Sequence, residues 1–246
     1  MGMRRAGVNR GAGVICGILP SGCRESGYNG RDRYVIRQES LMAAITLYHA
    51  VPSRSMVARW MLEEVGEPYD VHLLDLKAGT QNAADYRAVN PQGKVPAIRY
   101  KGVVTTEVAA ICCFLADEFP RAKLAVPVGD PQRGPYLQWL FFNPSAIEPA
   151  MMDTKFPRNP APPPTAIGYR DLGALLDVIE GGLNGKTYLM GDQFTAADVV
   201  TGAGLRWGML FGMIPPRPAL AAYVKRLEAR PAMQRANAAD EKLMKG

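Results

Sequence analysis

From residue 42 onward, short apolar runs alternate with turn residues. Residues 44–48 (Ala-Ile-Thr-Leu-Tyr) read as a strand and residues 51–55 (Val-Pro-Ser-Arg-Ser) as a turn. Val57, Trp60, Met61 and Val65 then fall on one helical face, and Gly66 stops the run. Residues 68–73 read as a second strand. Strand, helix and strand thus fit into about 30 residues, the size of a βαβ unit. Residues 82–89 predict a short irregular helix. Two prolines and a glycine within residues 90–96 block regular structure until Ala97. Residues 97–100 and 103–105 flank Lys101-Gly102 as a hairpin. A helix opens at Glu107, whose charge suits the positive helix start, and ends before Pro120.

Residues 121–133 form a loop rich in Pro and Gly, and beyond it every signal is helical. Residues 136–152 are apolar on most faces. Residues 156–164 (Phe-Pro-Arg-Asn-Pro-Ala-Pro-Pro-Pro) are a rigid break. Residues 165–183 are amphipathic, residues 188–194 read as a loop, and residues 195–207, 218–227 and 231–243 read as helices. The pattern predicts an α/β domain of order β-α-β-α-β-β-α over 42–121, a linker over 122–133 and an all-helical domain over 134–246. It contains no apolar run of about 18 residues, so a spanning helix is not expected.

Composition sharpens this in two places. The 246 residues are 48% hydrophobic, enough for a packed core and too much for disorder. The net charge of +6 hints at an anionic partner, but residues 1–41 hold seven Arg against three acids, while residues 42–246 carry 22 basic and 20 acidic side chains. A nearly neutral body gives no reason to expect a nucleic-acid or membrane partner. Three readings of residues 1–41 compete: a stretch translated upstream of a natural start at Met42, a targeting segment built on Arg4, Arg5, residues 14–19 and Cys23, and a basic tail. Their broken, Gly-rich pattern favours a disordered, non-functional extension.

Four Cys in this length are not a disulfide scaffold. Cys112 and Cys113 are adjacent within a helix and cannot both face a core. They suit small buried apolar roles. His49 and His72 belong to no spaced Cys/His set, so no metal is expected.

Three motifs carry a family resemblance. The first is Asn90-Pro91-Gln92-Gly93-Lys94-Val95-Pro96. The second is Thr106-Glu107-Val108 at a helix start. The third is Phe194-Thr195-Ala196-Ala197-Asp198-Val199, with Thr195 as N-cap, Asp198 as its reciprocal partner, and Phe194 and Val199 at the staple positions. In order and approximate spacing these resemble the cytosolic glutathione S-transferases, over essentially all of residues 42–246. The resemblance implies a thioredoxin-like domain followed by an all-helical one, with glutathione as co-substrate and no metal. It implies a cytoplasmic homodimer working in detoxification, of a serine-type bacterial-like kind.

It also implies site residues. Pro96 matches the family's cis-proline, which lets the Val95 backbone pair with the cysteine of glutathione like an added strand. Glu107 and the backbone at Val108 would hold the γ-glutamyl end, although Val108 stands where the family usually has Ser. Lys94 would meet the glycyl carboxylate, and Arg54 is a further candidate for the γ-glutamyl carboxylate. The thiol must ionise, and a donor hydroxyl at the strand-to-helix turn can supply the stabilisation. Ser53 is the leading candidate, Ser55 sits in the same turn, and Tyr48 lines up with the catalytic tyrosine of the tyrosine-type classes. The expected function is conjugation of glutathione to small hydrophobic electrophiles. Alternatives are an isomerase, dehalogenase or peroxidase, or a non-catalytic binding member. Trp139, Phe142, Met151, Met152 and Phe156 are candidates for an apolar pocket, most of them expected in the core. Asp198 is expected to matter for stability rather than for glutathione affinity.

Overall fold

The computed structural model describes residues 43–245. The extension read at residues 1–41 lies outside the described residues. Strand β1 (Ile45–His49) is flanked by β2 (Tyr69–Leu73), which runs parallel to it, and by β3 (Ala97–Tyr100), which runs antiparallel. Strand β4 (Val103–Thr106) closes the order β2-β1-β3-β4. Helix α1 (Ser55–Val65) connects β1 to β2, α2 (Ala84–Val89) precedes β3, and α3 (Val108–Glu118) follows β4. This is the predicted β-α-β-α-β-β-α order. A single 3-10 turn at Thr80–Asn82 stands ahead of α2 and accounts for the irregularity expected there.

Side chains alternate across a strand, so β1 feeds two clusters. Ile45 and Leu47 are fully buried with Trp60 and Met61 of α1 and Ile111 and Leu115 of α3. Tyr48 lies on the opposite face with Tyr86 of α2, Leu74 and Ala97. The end of α1 is set by Gly66, whose φ of 80° is the left-handed cap that glycine adopts without penalty.

The helical part comprises α4 (Arg133–Phe142), α5 (Glu148–Lys155), α6 (Leu172–Leu183), α7 (Ala196–Leu210), α8 (Pro218–Glu228) and α9 (Pro231–Lys245). Two expectations are corrected. The apolar run over 136–152 is not one α-helix: a π-helical segment, Asn143–Ile147, separates α4 from α5. Pro144 has no N–H to continue the ladder, and the bond shifts so that the Glu148 N–H donates to the Asn143 carbonyl. The amphipathic run over 165–183 opens on a 3-10 turn, Pro164–Ala166, and becomes α-helical only at Leu172. Asp171 caps it by accepting from the Ala174 N–H at 2.9 Å.

Helices α1 and α9 pack together and are tied by charge. Arg230 makes a two-bond fork with Glu64 at 2.6 and 2.8 Å and lies 3.4 Å over the ring of Phe194. Arg235 donates to Glu63 at 2.8 Å. Phe194, the residue before the α7 cap, stacks near Trp60 and Tyr188. The third motif therefore fastens the start of α7 to helix α1.

Candidate functional site

A cavity of about 510 Å³ opens between the sheet-bearing part and the helices. One wall comes from the β1–α1 turn and from the loop before β3. On the turn lie Pro52, Ser53 and Arg54, and on the loop Gly93, Lys94 and Val95. Val108 at the first turn of α3 belongs to the same wall.

Local chemistry fixes the loop. The Asn90 side chain accepts from the Gln92 N–H at 3.1 Å and donates to the Lys94 carbonyl at 2.7 Å. The Tyr86 hydroxyl donates to the same carbonyl at 2.6 Å, and burial pushes that phenol up to about 12. Gly93 sits at φ 64°, and a Cβ there would meet the Gln81 carbonyl at 2.9 Å, so only glycine fits. The Val95–Pro96 bond is cis. Among the described residues, neither the N–H nor the C=O of Val95 has a hydrogen-bond partner. Pro96 is buried behind it and does not reach the cavity.

Glu107 is exposed and adopts φ 69° and ψ 123° at the α3 cap. That conformation is sparsely populated for a non-glycine residue and costs about 1–3 kcal/mol. Its carboxylate accepts from Gln92 at 3.5 Å. The next N–H groups, beginning at Val108, have no helical acceptor and point outward from the positive end of α3. The combination suits an ammonium beside a carboxylate.

The candidate hydroxyls separate clearly. Ser53 is half-buried and lines the cavity. Its Oγ accepts from the Ser55 N–H at 3.1 Å, and its single proton has two acceptors in reach, the Ala50 carbonyl at 2.7 Å and Ser55 Oγ at 2.6 Å. Ser55 is fully buried and outside the cavity wall, and its Oγ accepts from the Ala50 N–H at 3.0 Å. Tyr48 does not reach the cavity either. Strand alternation turns it to the opposite face, where its ring meets those of Tyr86 and His72 and the guanidinium of Arg99. Arg54 donates to Glu148 of α5 at 2.6 Å, bridging the cavity mouth. Lys94 is exposed on the wall.

The opposite wall is apolar. Met151 and Met152 contribute, whereas Trp139, Phe142 and Phe156 do not; Phe156 is 68% exposed on the surface. Sequence reasoning missed the rest of this wall: Val200, Gly204 and Trp207 of α7, with Phe211 and Met213 beyond it. Their apolar spacing was indistinguishable from that of a core-facing helix.

Two buried oxygens of cavity-lining residues have no partner among the described residues, Gln81 Oε1 and Asn143 Oδ1, the latter facing α7. Buried polar groups without partners cost free energy, and a bound ligand is a natural means of satisfying them. Asn143 fits only because Gly204 has no side chain: a Cβ there would lie 1.8 Å from Asn143 Oδ1. Gly204→Ala is expected to lower stability by about 1–3 kcal/mol, read as the denaturant midpoint, because a short buried carboxamide has nowhere to go. Gly181→Ala, which meets open space on α6, is the control and should not destabilise.

Among the described residues no group of His, Cys, Asp or Glu is arranged to hold a metal ion, and no helix is long and apolar enough to cross a membrane. Cys112 is fully buried and burial pushes its thiol far up, while Cys113 is raised first by burial and then by Asp117. Neither is poised as a nucleophile.

Comparison with known proteins gives one answer across both halves. The family model for the glutathione S-transferase N-terminal domain matches residues 53–118, and that for the C-terminal domain matches residues 149–231. The glutathione S-transferase GstA of Escherichia coli O157:H7 is 28% identical over 197 residues, covering 79% of this chain and 98% of the relative. The crystal structure of a glutathione transferase from Methylococcus capsulatus is 31% identical with a TM-score of 0.69, covering 80% of this chain and 98% of that one. A sphingomonad glutathione S-transferase complexed with glutathione is 28% identical with a TM-score of 0.67, covering 80% and 98%. With the sheet order, the cis-proline loop and the capped α7 in place, this chain belongs to the glutathione S-transferase family.

Proposed function

We propose that the chain conjugates the thiol of glutathione to small apolar electrophiles, with Ser53 as the hydroxyl that stabilises the thiolate. The observation that carries this is the position of Ser53. It is the one candidate hydroxyl of the three on the cavity wall, and it stands between a wall of free backbone groups and a wall of Met and aromatic side chains. A thiol with the ordinary pKa of about 8.5 is only a few per cent ionised at pH 7. A donor at the sulfur and the positive helix start favour the charged form.

The remaining roles follow from the wall. The backbone N–H and C=O of Val95 would pair with the cysteinyl residue of glutathione as with an added strand. Glu107 would take the ammonium of the γ-glutamyl end, and the N–H groups at Val108 its carboxylate. Arg54 holds Glu148 through Nε and Nη2, which leaves Nη1 to serve that carboxylate. Lys94 would meet the glycyl carboxylate, and the unpartnered Gln81 Oε1, an acceptor, would take the N–H of the glycyl amide. On the far wall, the flexible thioethers of Met151 and Met152 accommodate varied apolar shapes. Holding thiolate and electrophile together supplies the proximity part of the rate. A homodimeric, cytoplasmic protein is the assembly and location expected from the family.

Retention on immobilised glutathione, followed by turnover assays with aryl halides, epoxides and hydroperoxides, tests the reading. Retention with aryl-halide turnover supports it. Retention with only peroxide turnover reassigns the activity, and no retention removes it. The same column tests Glu107. Glu107→Gly is expected to abolish retention while melting no lower than wild type, since about 1–3 kcal/mol of backbone strain is released against a glycine entropy cost of about 0.5–1 kcal/mol. A variant that still binds would remove Glu107 from the site.

A further inference from the structure

Behind Ser53 runs a chain of polar groups sealed from solvent. Ser53 Oγ lies 2.6 Å from Ser55 Oγ, and Ser55 Oγ lies 2.8 Å from His49 Nδ1. On the far side of the ring, His49 Nε2 is 3.0 Å from Asp240 Oδ1, which also accepts from Arg59 at 2.5 Å. His49 and Ser55 are fully buried and Asp240 is 1% exposed. Strand period places His49 on the same face as Ile45 and Leu47, toward α1 and α9, so a residue of β1 meets one near the end of α9.

Proton counting fixes the direction of these bonds. A carboxylate only accepts, so His49 Nε2 carries the proton and donates to Asp240. Nδ1 is then a bare acceptor, and the Ser55 hydroxyl donates to it at 2.8 Å rather than to the more distant Ala50 carbonyl at 3.1 Å; two hydroxyl oxygens 2.6 Å apart need a proton between them, so Ser53 donates to Ser55 rather than to the Ala50 carbonyl at 2.7 Å. Asp240 has both its donors on Oδ1, while the buried Oδ2 has none among the described residues. Its charge is balanced by Arg59, and one of its two oxygens keeps free accepting capacity. The charged and titratable neighbours are Arg59 and Glu63 of α1, Asp240 of α9, and Tyr69 of β2, which bonds both Arg59 and Glu63.

We propose that His49 is the internal acceptor of the glutathione thiol proton, reached through Ser53 and Ser55, with Asp240 holding its tautomer and the thiolate balancing the new charge. The proposal rests on Ser53 meeting the thiol. The S–H bond breaks and its electron pair stays on sulfur. Ser53 Oγ takes that proton and passes its own to Ser55 Oγ, and Ser55 passes its own to His49 Nδ1. A neutral thiol and a neutral imidazole become thiolate and imidazolium, with no other reactant. Afterwards every bond in the chain points the other way: His49 donates to Ser55, Ser55 to Ser53, and Ser53 to the thiolate. The same transfer that creates the anion therefore turns the hydroxyls to stabilise it. Without the thiolate, an imidazolium beside Arg59 would add an unbalanced buried charge, so the cation forms only when the anion does. His49 and Asp240 act through the serines and are positioning residues.

The test is a proton balance at pH 7. Calorimetric titration of wild type with glutathione, in two buffers of different ionisation enthalpy, gives the protons released on binding. S-methylglutathione, which has no thiol proton, supplies the correction for all other groups, and ultraviolet difference absorbance gives the thiolate formed. The expected result is a thiolate band with almost no thiol proton released to buffer. One proton released per thiolate overturns the relay and leaves Ser53 in place. Absence of any thiolate band overturns the Ser53 reading and the relay with it. His49→Gln is expected to release the proton of whatever thiolate it forms and to move the acid limb of kcat/KM to higher pH. If that variant does not fold, the wild-type balance decides alone.

Discussion

Ser53→Ala is expected to lower kcat/KM for an aryl electrophile about 25-fold at pH 7 and about a hundredfold below pH 6, with the KM for glutathione nearly unchanged. A hydroxyl that moves the thiol about two units below its ordinary pKa is worth roughly 2.7 kcal/mol in favour of the anion, a hundredfold in the ionisation constant, which leaves about three-quarters of the thiol ionised at pH 7 with the hydroxyl and about 3% without it. The loss should shrink as the pH rises, because the thiol then ionises without help. The acid limb of the pH–rate profile therefore moves up while the plateau is approached again in alkali. Binding is spared because the Val95 backbone and the α3 start do not depend on Ser53. Tyr48→Phe is the matched control. Tyr48 packs on the opposite face of β1, so its loss of a hydroxyl should leave the rate within about twofold, less than 0.5 kcal/mol. Full activity in the first variant and none in the second would reverse the assignment.

The largest effect on stability is expected from Asp198→Ala. Asp198 is fully buried and its two oxygens accept four bonds. The donors are the Leu189 N–H at 2.9 Å, the Thr195 N–H at 2.9 Å, the Thr195 hydroxyl at 3.1 Å and the Tyr223 hydroxyl at 2.8 Å. Removing the carboxylate strands all four in a dry interior and dismantles the capping box of α7. At about 1 kcal/mol or more for each stranded donor, the cost is of order 4 kcal/mol, or about 10 °C in Tm for a chain of this size. Differential scanning calorimetry checks it, and retention on glutathione by the surviving folded fraction should be unchanged.

The same carboxylate carries a pH dependence. Burial holds it above its ordinary value of 3.8 despite the four donors. The folded chain therefore keeps this proton after the unfolded chain has lost it, and stability declines as the pH climbs through that window. The alanine variant should lose that decline.

What was legible in the sequence was local. The turn at residues 51–55, the Pro/Gly-interrupted loop at 90–96 and the Thr195–Asp198 cap each declare themselves within a few residues, because their backbone demands are met by their own side chains. The break between α4 and α5 was local too, but the apolar periodicity of residues 136–152 outweighed Pro144, and a π-helical turn keeps the helix axis going while breaking its ladder. The start of α6 was written in Asp171, a ready cap that the longer amphipathic run obscured. What was not legible was distant. His49 and Asp240 are 191 residues apart, and nothing at either position announces the other. The α7 wall of the cavity is made of the same residue types as a core, so only the packing tells which side of that helix faces empty space.

The two walls of the cavity are built from different materials, and mutation acts on them differently. On the side proposed for glutathione, much of the bonding capacity belongs to main-chain groups at Val95 and Val108, which no replacement other than proline can delete. Valine at position 108 costs that wall a hydroxyl and leaves its N–H in place. On the far side nearly everything a ligand would touch is a side chain, from Met151 and Met152 to Trp207 and Phe211. Each can be exchanged without disturbing the sheet. One half of the pocket is thus buffered against drift and the other is open to it, so a lineage of such chains can change what it attacks while keeping what it attacks with.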